Sequence, residues 1–397
     1  MGNSFYVNFA GQRYYFLANY LYFCHQKVSK TVEIMLEATR REANELYVLF
    51  SLLAAGTVEM GNAQGEAAGQ APLAMIIRRE HDGLRRYIID GADVYIDGPE
   101  IGVHIPREDF STAADWILRL LTNKKALSSE TIDLSDLEPF LDALQIVDME
   151  AQTDDRTDLH IALWSVDAPL IGLRIQSRLC GYLPLLDGGR TANLKFEQTG
   201  VRFSNPAVHK INWTEQPENV AEVARRILYI QSLGGILKYS DVADKIFKSN
   251  LLVLDTNLPR ILATMLMTLH LDGTARIDEL TAALEEKNPL KVKDELVKKH
   301  GLYRYKVCQL LLAAAWGMRP AKVFDGREGT IGGYLMVSET GRTLLYTRAR
   351  EQAFADYLFT HTRLEKALPD DSKYGYLERE NGAYYLKLNL KIGFTRR

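Results

Sequence analysis

The stretch that most constrains the fold runs from Asp158 to Ser177, DLHIALWSVDAPLIGLRIQS. Leu159, Ile161 and Leu163 alternate with Asp158, His160, Ala162 and Trp164. Ile171, Leu173 and Ile175 then alternate with Gly172, Arg174 and Gln176. A period of two is that of a strand, so each segment has one apolar face and one polar face. Asp167-Ala168-Pro169 between them supplies turn chemistry. Antiparallel pairing centred near Ala168 puts residues of equal parity on one face. Asp158, His160, Arg174 and Gln176 then form one polar group over a buried back. A carboxylate, an imidazole, a guanidinium and an amide gathered in this way suit a cation and a phosphate. The plainer reading is the wet face of a half-buried hairpin.

The chain has 397 residues, enough for two or three core units in one body. Hydrophobic residues make up 47% and charged residues 25%, the balance of an ordinary globular protein. The net charge of -3 means that a nucleic-acid partner must be met by a local basic patch. Such a stripe exists at Lys298, Lys299, Arg304 and Lys306, interleaved with Tyr303 and Tyr305. It suits phosphates, or it is a solvated helix face. Cys24, Cys180 and Cys308 lie far apart, which argues against a zinc site or a disulfide framework and fits a reducing cytosol. The aromatic start, residues 1–40, reads as an appended arm. Gln12, Arg13 and Asn19 make it a poor membrane span.

In chain order, an amphipathic helix is expected from Thr31 to Ala55, ended by Gly56, with Glu42 and Glu45 on one face. A loop follows over Gly61–Gln70, then strands at Leu73–Arg79, Leu84–Asp90 and Val94–Ile96. Helices are expected at Arg107–Leu121 and at Ser135–Leu144, the latter capped by Ser135. After Glu218 the period becomes helical, with Ser240 as the cap of one helix and Pro259 in the first turn of another. Strands return at Gly332–Ser338 and Arg342–Thr347. Asn381-Gly382 turns a final hairpin.

Several pieces in fixed order resemble the HpaII-type restriction endonuclease family, from about Glu42 to Phe394. EANELYVLFSLLAAG is similar to its opening helix, and GLRIQSRLCGYLPLLDGGRTAN to its central elements. YRYKVCQLLLAAAWGMRPAKVFDG, GGYLMV, FADYLFTHTRLE and YYLKLNLKIGF are similar to its later ones. The resemblance implies a PD-(D/E)XK-like α/β fold, a mixed sheet flanked by helices, with a helical C-terminal half closed by short strands. It implies a nuclease-like core over residues 41–215 and a DNA-contacting region over residues 216–397. It implies Mg²⁺-dependent hydrolysis of duplex DNA at the palindrome CCGG, in a cytoplasm shared with a protective methyltransferase; by symmetry, a palindromic site is met most simply by a two-fold homodimer.

Carried over residue by residue, Asp158 is the principal metal ligand, with Glu45 as the second carboxylate and Glu42 nearby. Ser177 and Asn193 match DNA-side positions. The family's lysine position holds Gln176 here, and the position two before it holds Arg174, which restores charge but is no base. Cys180, Pro184, Asp187 and Phe324 also depart from the family pattern. A DNA-binding relative with impaired cleavage, and a structure-directed nuclease, are the competing readings.

Overall fold

The first helix begins where the sequence supplies a cap. The structure, a computed structural model, describes residues 36–123, 129–152, 156–165, 169–213, 221–326 and 329–395. Helix Arg40–Ala55 is entered through Thr39, whose hydroxyl accepts from the Glu42 N–H while the Glu42 carboxylate accepts from the Thr39 N–H. This reciprocal capping box satisfies two donors that every helix start leaves open. The helix starts later than its apolar stripe predicts, because Glu37–Thr39 is extended and pairs with Thr131–Asp133. Gly56 closes it at φ +61°, donating its N–H to the Leu52 carbonyl, as expected. Residues 1–35 of the expected arm and Asp167-Ala168 of the expected turn lie outside the described residues.

The central hairpin forms from Leu159–Leu163 and Ile171–Ser177, with Leu159 opposite Leu173 and His160 opposite Gly172. Its midpoint is position 166, halfway between 159 and 173, rather than Ala168. The centre still falls on a residue and not between two, so partners keep equal parity and the apolar face survives. Ile171–Ser177 has the late strand Ile331–Val337 as its parallel neighbour, followed by Thr343–Thr347 and Thr57–Gly61. Leu159–Leu163 pairs outward with the long strand Ala67–Glu80. That strand also pairs at its start with Thr57–Gly61, so six strands return on themselves. Gly83–Asp90, Asp93–Gly98 and Ile101–Pro106 extend it to nine among the described residues. The loop expected over Gly61–Gln70 shrinks to residues 62–66, because pairing with Thr57–Gly61 overrides the weak strand preference of Ala67, Ala68 and Gly69.

This sheet is a wall between two cores. Leu159, Ile161, Leu173, Ile175, Leu335, Val337 and Leu345 pack with Leu46, Leu49, Phe50 and Leu53 of the first helix and with Phe110 and Ile117 of helix Arg107–Thr122. Tyr334, Met336, Leu344 and Tyr346 join the other core with residues of helices Leu302–Ala315 and Glu351–His361. Tyr334 donates its O–H to the Ala315 carbonyl at 2.8 Å, and Tyr346 stacks on Phe354 and Tyr357. The C-terminal half adds a four-stranded antiparallel sheet, ordered Ile236–Val242, Asn193–Thr199, Ala383–Asn389, Leu377–Glu380. Asn381 and Gly382 make its two-residue turn at φ +49° and +88°, as expected.

Two caps differ from expectation. Ser240 lies in strand Ile236–Val242, and the next helix is capped instead by Asp244, which accepts from the Ile246 and Phe247 N–H groups. Ser135 opens a short 3-10 turn and accepts the Leu36 N–H rather than capping a long helix. The expected class holds: a mixed α/β architecture, its sheet flanked by helices, with a helical C-terminal half closed by short strands.

A tight backbone joint in the wall is Gly172, where an added Cβ would lie 2.4 Å from the Thr330 carbonyl oxygen and 2.7 Å from Thr157 Cγ2. Gly172→Ala should therefore destabilise the protein by about 1–3 kcal/mol. Chemical denaturation measures it, and an unmoved midpoint would mean that these strands part without cost.

Candidate active site

The site begins as a polar interruption in a buried helix face. Asn44 and Glu45 each lie one turn on from Arg41 along helix Arg40–Ala55, on the side that Arg41 shares. Asn44 is 1% exposed and Glu45 5%, unusual for such residues without partners. Asn44 Oδ1 accepts from the Ser177 hydroxyl at 2.6 Å, which fixes the helix to the end of the central strand. Arg40 reinforces the joint by donating to the Leu121 and Leu179 carbonyls.

Asp158 approaches from the sheet. Its N–H donates to the Leu173 carbonyl at 2.7 Å, and its Oδ2 accepts from the Ile175 N–H at 2.6 Å. Arg41 spans the gap between helix and hairpin. Its Nε lies 3.4 Å from Glu45 Oε1 and 3.7 Å from Glu150 Oε1, and its Nη2 lies 3.9 Å from Asp158 Oδ1. Burial pushes the Glu45 carboxyl up to about 8; Asp158 adds to the rise and Arg41 opposes it. Burial also raises Asp158, against the pull of the Ile175 N–H, Arg174 and Arg41. Both carboxylates are thus under-compensated: Asp158 disfavours ionisation of Glu45, and Glu150 disfavours that of Asp158.

The polar group expected on one hairpin face is divided. Arg174 lies beside Asp158 and the Tyr334 hydroxyl. His160 turns towards Thr157, with Nε2 3.5 Å from its hydroxyl. Gln176 is 2% exposed, and its Oε1 accepts from the Leu183 N–H at 3.0 Å, because the loop's buried donor needs an acceptor. Glu42 serves the helix cap, so the structure brings Glu45 and not Glu42 to Asp158.

Ser177 and Asn193 are buried and act inside the protein. Ser177 joins Asn44 and accepts from the Leu179 N–H. Asn193 donates to the Ser372 and Lys373 carbonyls and accepts from Asn389. In the basic stripe, Lys298 and Lys299 are exposed and pair one turn back with Asp294 and Glu295. Arg304 is held by Asp356 at 2.7 Å and lies over the Phe359 ring; Lys306 is held by Asp255.

Sequence reasoning passed over Arg41, Asn44, Glu150 and Arg319. The spacing Arg41 to Glu45 is a visible helical pair, but nothing in the sequence shows that Asp158 comes to it. Partial burial, then the neighbouring Arg156 and Arg174 guanidiniums, lower Arg319 from its usual range, so Arg319 and Arg174 gather at the Tyr334 hydroxyl and Arg174 alone of the three acts on Asp158.

Glu45, Arg41, Gln176, Cys180 and Leu183 line a cleft of about 70 Å³, room for an ion and a few waters. Glu45 and Asp158, both reached by Arg41, are hard oxygen donors of the kind that Mg²⁺ takes, so the residues fit it. Among the described residues no group of three or more His, Cys, Asp or Glu side chains is arranged to hold a metal ion. A cation between this cleft and the hairpin would rest on Glu45, which lines the cleft, and on Asp158 beyond its lining, with water or phosphate completing the shell.

The raised Glu45 carboxyl gives a stability test. Its folded value lies above the ordinary carboxylate value of 4.5, so its contribution is full below about pH 4.5 and is lost as pH rises through about 8. In EDTA the melting temperature should fall across that window, and Glu45→Gln should flatten the fall and melt higher at pH 8. A variant that keeps the native slope would place the titrating group elsewhere.

The described residues contain no single helix long and apolar enough to cross a membrane. A model of the HpaII restriction endonuclease family matches residues 39–394. The type II restriction enzyme HpaII of Haemophilus parainfluenzae is 28% identical over 361 residues, covering 89% of this chain and 98% of that protein. No solved structure matches the chain. With its match running from the capping residue Thr39 of the first helix to the last strand, the chain belongs to the HpaII restriction endonuclease family.

Proposed function

We propose that this protein is a type II restriction endonuclease that hydrolyses phosphodiester bonds of duplex DNA with Mg²⁺, at a short palindrome that is CCGG by resemblance. The observation that carries the reading is the meeting of Asp158 and Glu45, from hairpin and helix, at one cationic point beside Arg174. In this reading the fold is of the PD-(D/E)XK kind, and the protein works in the cytoplasm beside a protective methyltransferase. A two-fold homodimer would place one such site on each strand of a palindrome.

Asp158 and Glu45 would hold the Mg²⁺, which when bound draws charge from the phosphoryl oxygens and acidifies a water. The Ile175 N–H aims the Asp158 carboxylate, so that it does not reorganise as the substrate arrives. Arg174 and Arg319 offer fixed positive charge to the phosphate, the part of a lysine's work that needs no proton transfer. Gln176 holds the Leu183 backbone at the rim of the cleft, and so shapes the loop that covers it. Lys298 and Lys299 would meet the DNA backbone away from the reaction.

A second reading, a DNA-binding relative with impaired cleavage, is favoured by one observation. The amide in the lysine position spends its oxygen on Leu183. Single-turnover cleavage of a CCGG duplex in Mg²⁺ separates the two: discrete products support the endonuclease, and a gel shift without products supports the relative. Asp158→Ala should lower cleavage by more than the roughly 10–100-fold typical of losing an outer metal partner, with folding retained. Undiminished cleavage would exclude Asp158 from the metal site. Replacing Lys298 and Lys299 with Ala should weaken binding to all sequences alike and lower the slope of affinity on salt by up to about 2. An unchanged slope would leave both lysines as solvated surface.

A further inference from the structure

The position of Arg41 raises a question that the reaction itself does not answer. A metal ion shared by Asp158 and Glu45 must sit about 2.0–2.6 Å from an oxygen of each. The space between those oxygens is the space that the Arg41 guanidinium now bridges, 3.4 Å from Glu45 and 3.9 Å from Asp158. A third carboxylate, Glu150, faces the same group at 3.7 Å.

None of these contacts has the 2.7–2.9 Å length of a tight charge-assisted hydrogen bond. Arg41 Nε is buried and makes no hydrogen bond. Its side chain is nevertheless 36% exposed, so the guanidinium has a way out to water. The buried pairs nearby are built differently: Arg78 meets Glu80 at 2.5 Å, and both are almost wholly enclosed. Arg41 is held by charge and not by fit.

We propose that Arg41 is a resident counter-ion: it holds the two metal-binding carboxylates together in the metal-free enzyme and is displaced towards solvent when the divalent cation enters. It is a positioning residue that sets how much metal the site requires. This rests on the reading of Asp158 and Glu45 as metal ligands. Two cations that compete for one carboxylate pair oppose each other, so each tightens when the other is removed.

The test is calorimetric titration of the full-length, DNA-free protein with Ca²⁺ alone, repeated with Mg²⁺, on native protein, Arg41→Met and Arg41→Lys. Arg41→Met should melt lower than native in EDTA and bind Ca²⁺ roughly tenfold tighter, about 1.4 kcal/mol. Arg41→Lys, which keeps the competing charge, should bind it within a few-fold of native. A purely structural arginine would give lower melting with unchanged or weaker binding of the ion, and that result would overturn the proposal. Should Arg41→Met fail to fold, Arg41→Gln carries the same comparison. Absence of divalent binding in the native protein and every variant would overturn the metal reading itself, and the counter-ion role with it.

Discussion

The site depends on one pairing, that of strand Ile171–Ser177 with the late strand Ile331–Val337. The two approach closely because glycine stands at both sides of the contact. A Cβ at Gly172 would meet the Thr330 carbonyl, and one at Gly333 would lie 2.5 Å from the Tyr346 carbonyl and 2.8 Å from Leu173. With that pairing made, Ile175 presents its N–H to Asp158, Ser177 reaches Asn44, and Arg174 comes beside Tyr334. The same pairing joins the two cores, since Leu335 and Val337 face one and Tyr334 and Met336 the other.

The electrostatics follow from where this pairing buries charge. Asp158 and Glu45 are drawn from different elements into a poorly solvated corner, and a single guanidinium reaches both without closing on either. A buried pair with complete compensation is inert; Arg78–Glu80, sealed beside Tyr87, is of that kind. The corner at Arg41 is left open, and the proposed exchange of one cation for another would draw on that open balance.

Local signals were readable where one element decides the outcome. The period-two hairpin, the Gly56 cap and the Asn381-Gly382 turn all depend on residues next to one another, and they form as expected. The shifted hairpin kept its faces because its centre still falls on a residue, which pairs positions of equal parity. What could not be read is whatever one element does to another. Ala67, Ala68 and Gly69 look like loop until Thr57–Gly61 pairs with them. Gln176 shares the parity of Asp158, but the Leu183 N–H claims it. Ser177 and Asn193 are polar in the sequence and buried in the fold, and nothing local shows that Asn44, Ser372 and Asn389 wait for them. Glu45 was found through resemblance, whereas its partner Arg41, one turn away, became visible only with Asp158 in place.

The order of the chain also fixes when the site can exist. The strand that carries Arg174 and Gln176 leaves the ribosome long before its parallel neighbour Ile331–Val337. Until then it has one paired edge and one bare edge, and the wall cannot close through Thr343–Thr347 onto Thr57–Gly61. Contacts so distant along the chain form late in folding. A nascent chain, or one cut short before this strand, therefore carries every carboxylate of the corner without the sheet that aims them, and the cell meets the finished site only after nearly the whole protein has been made.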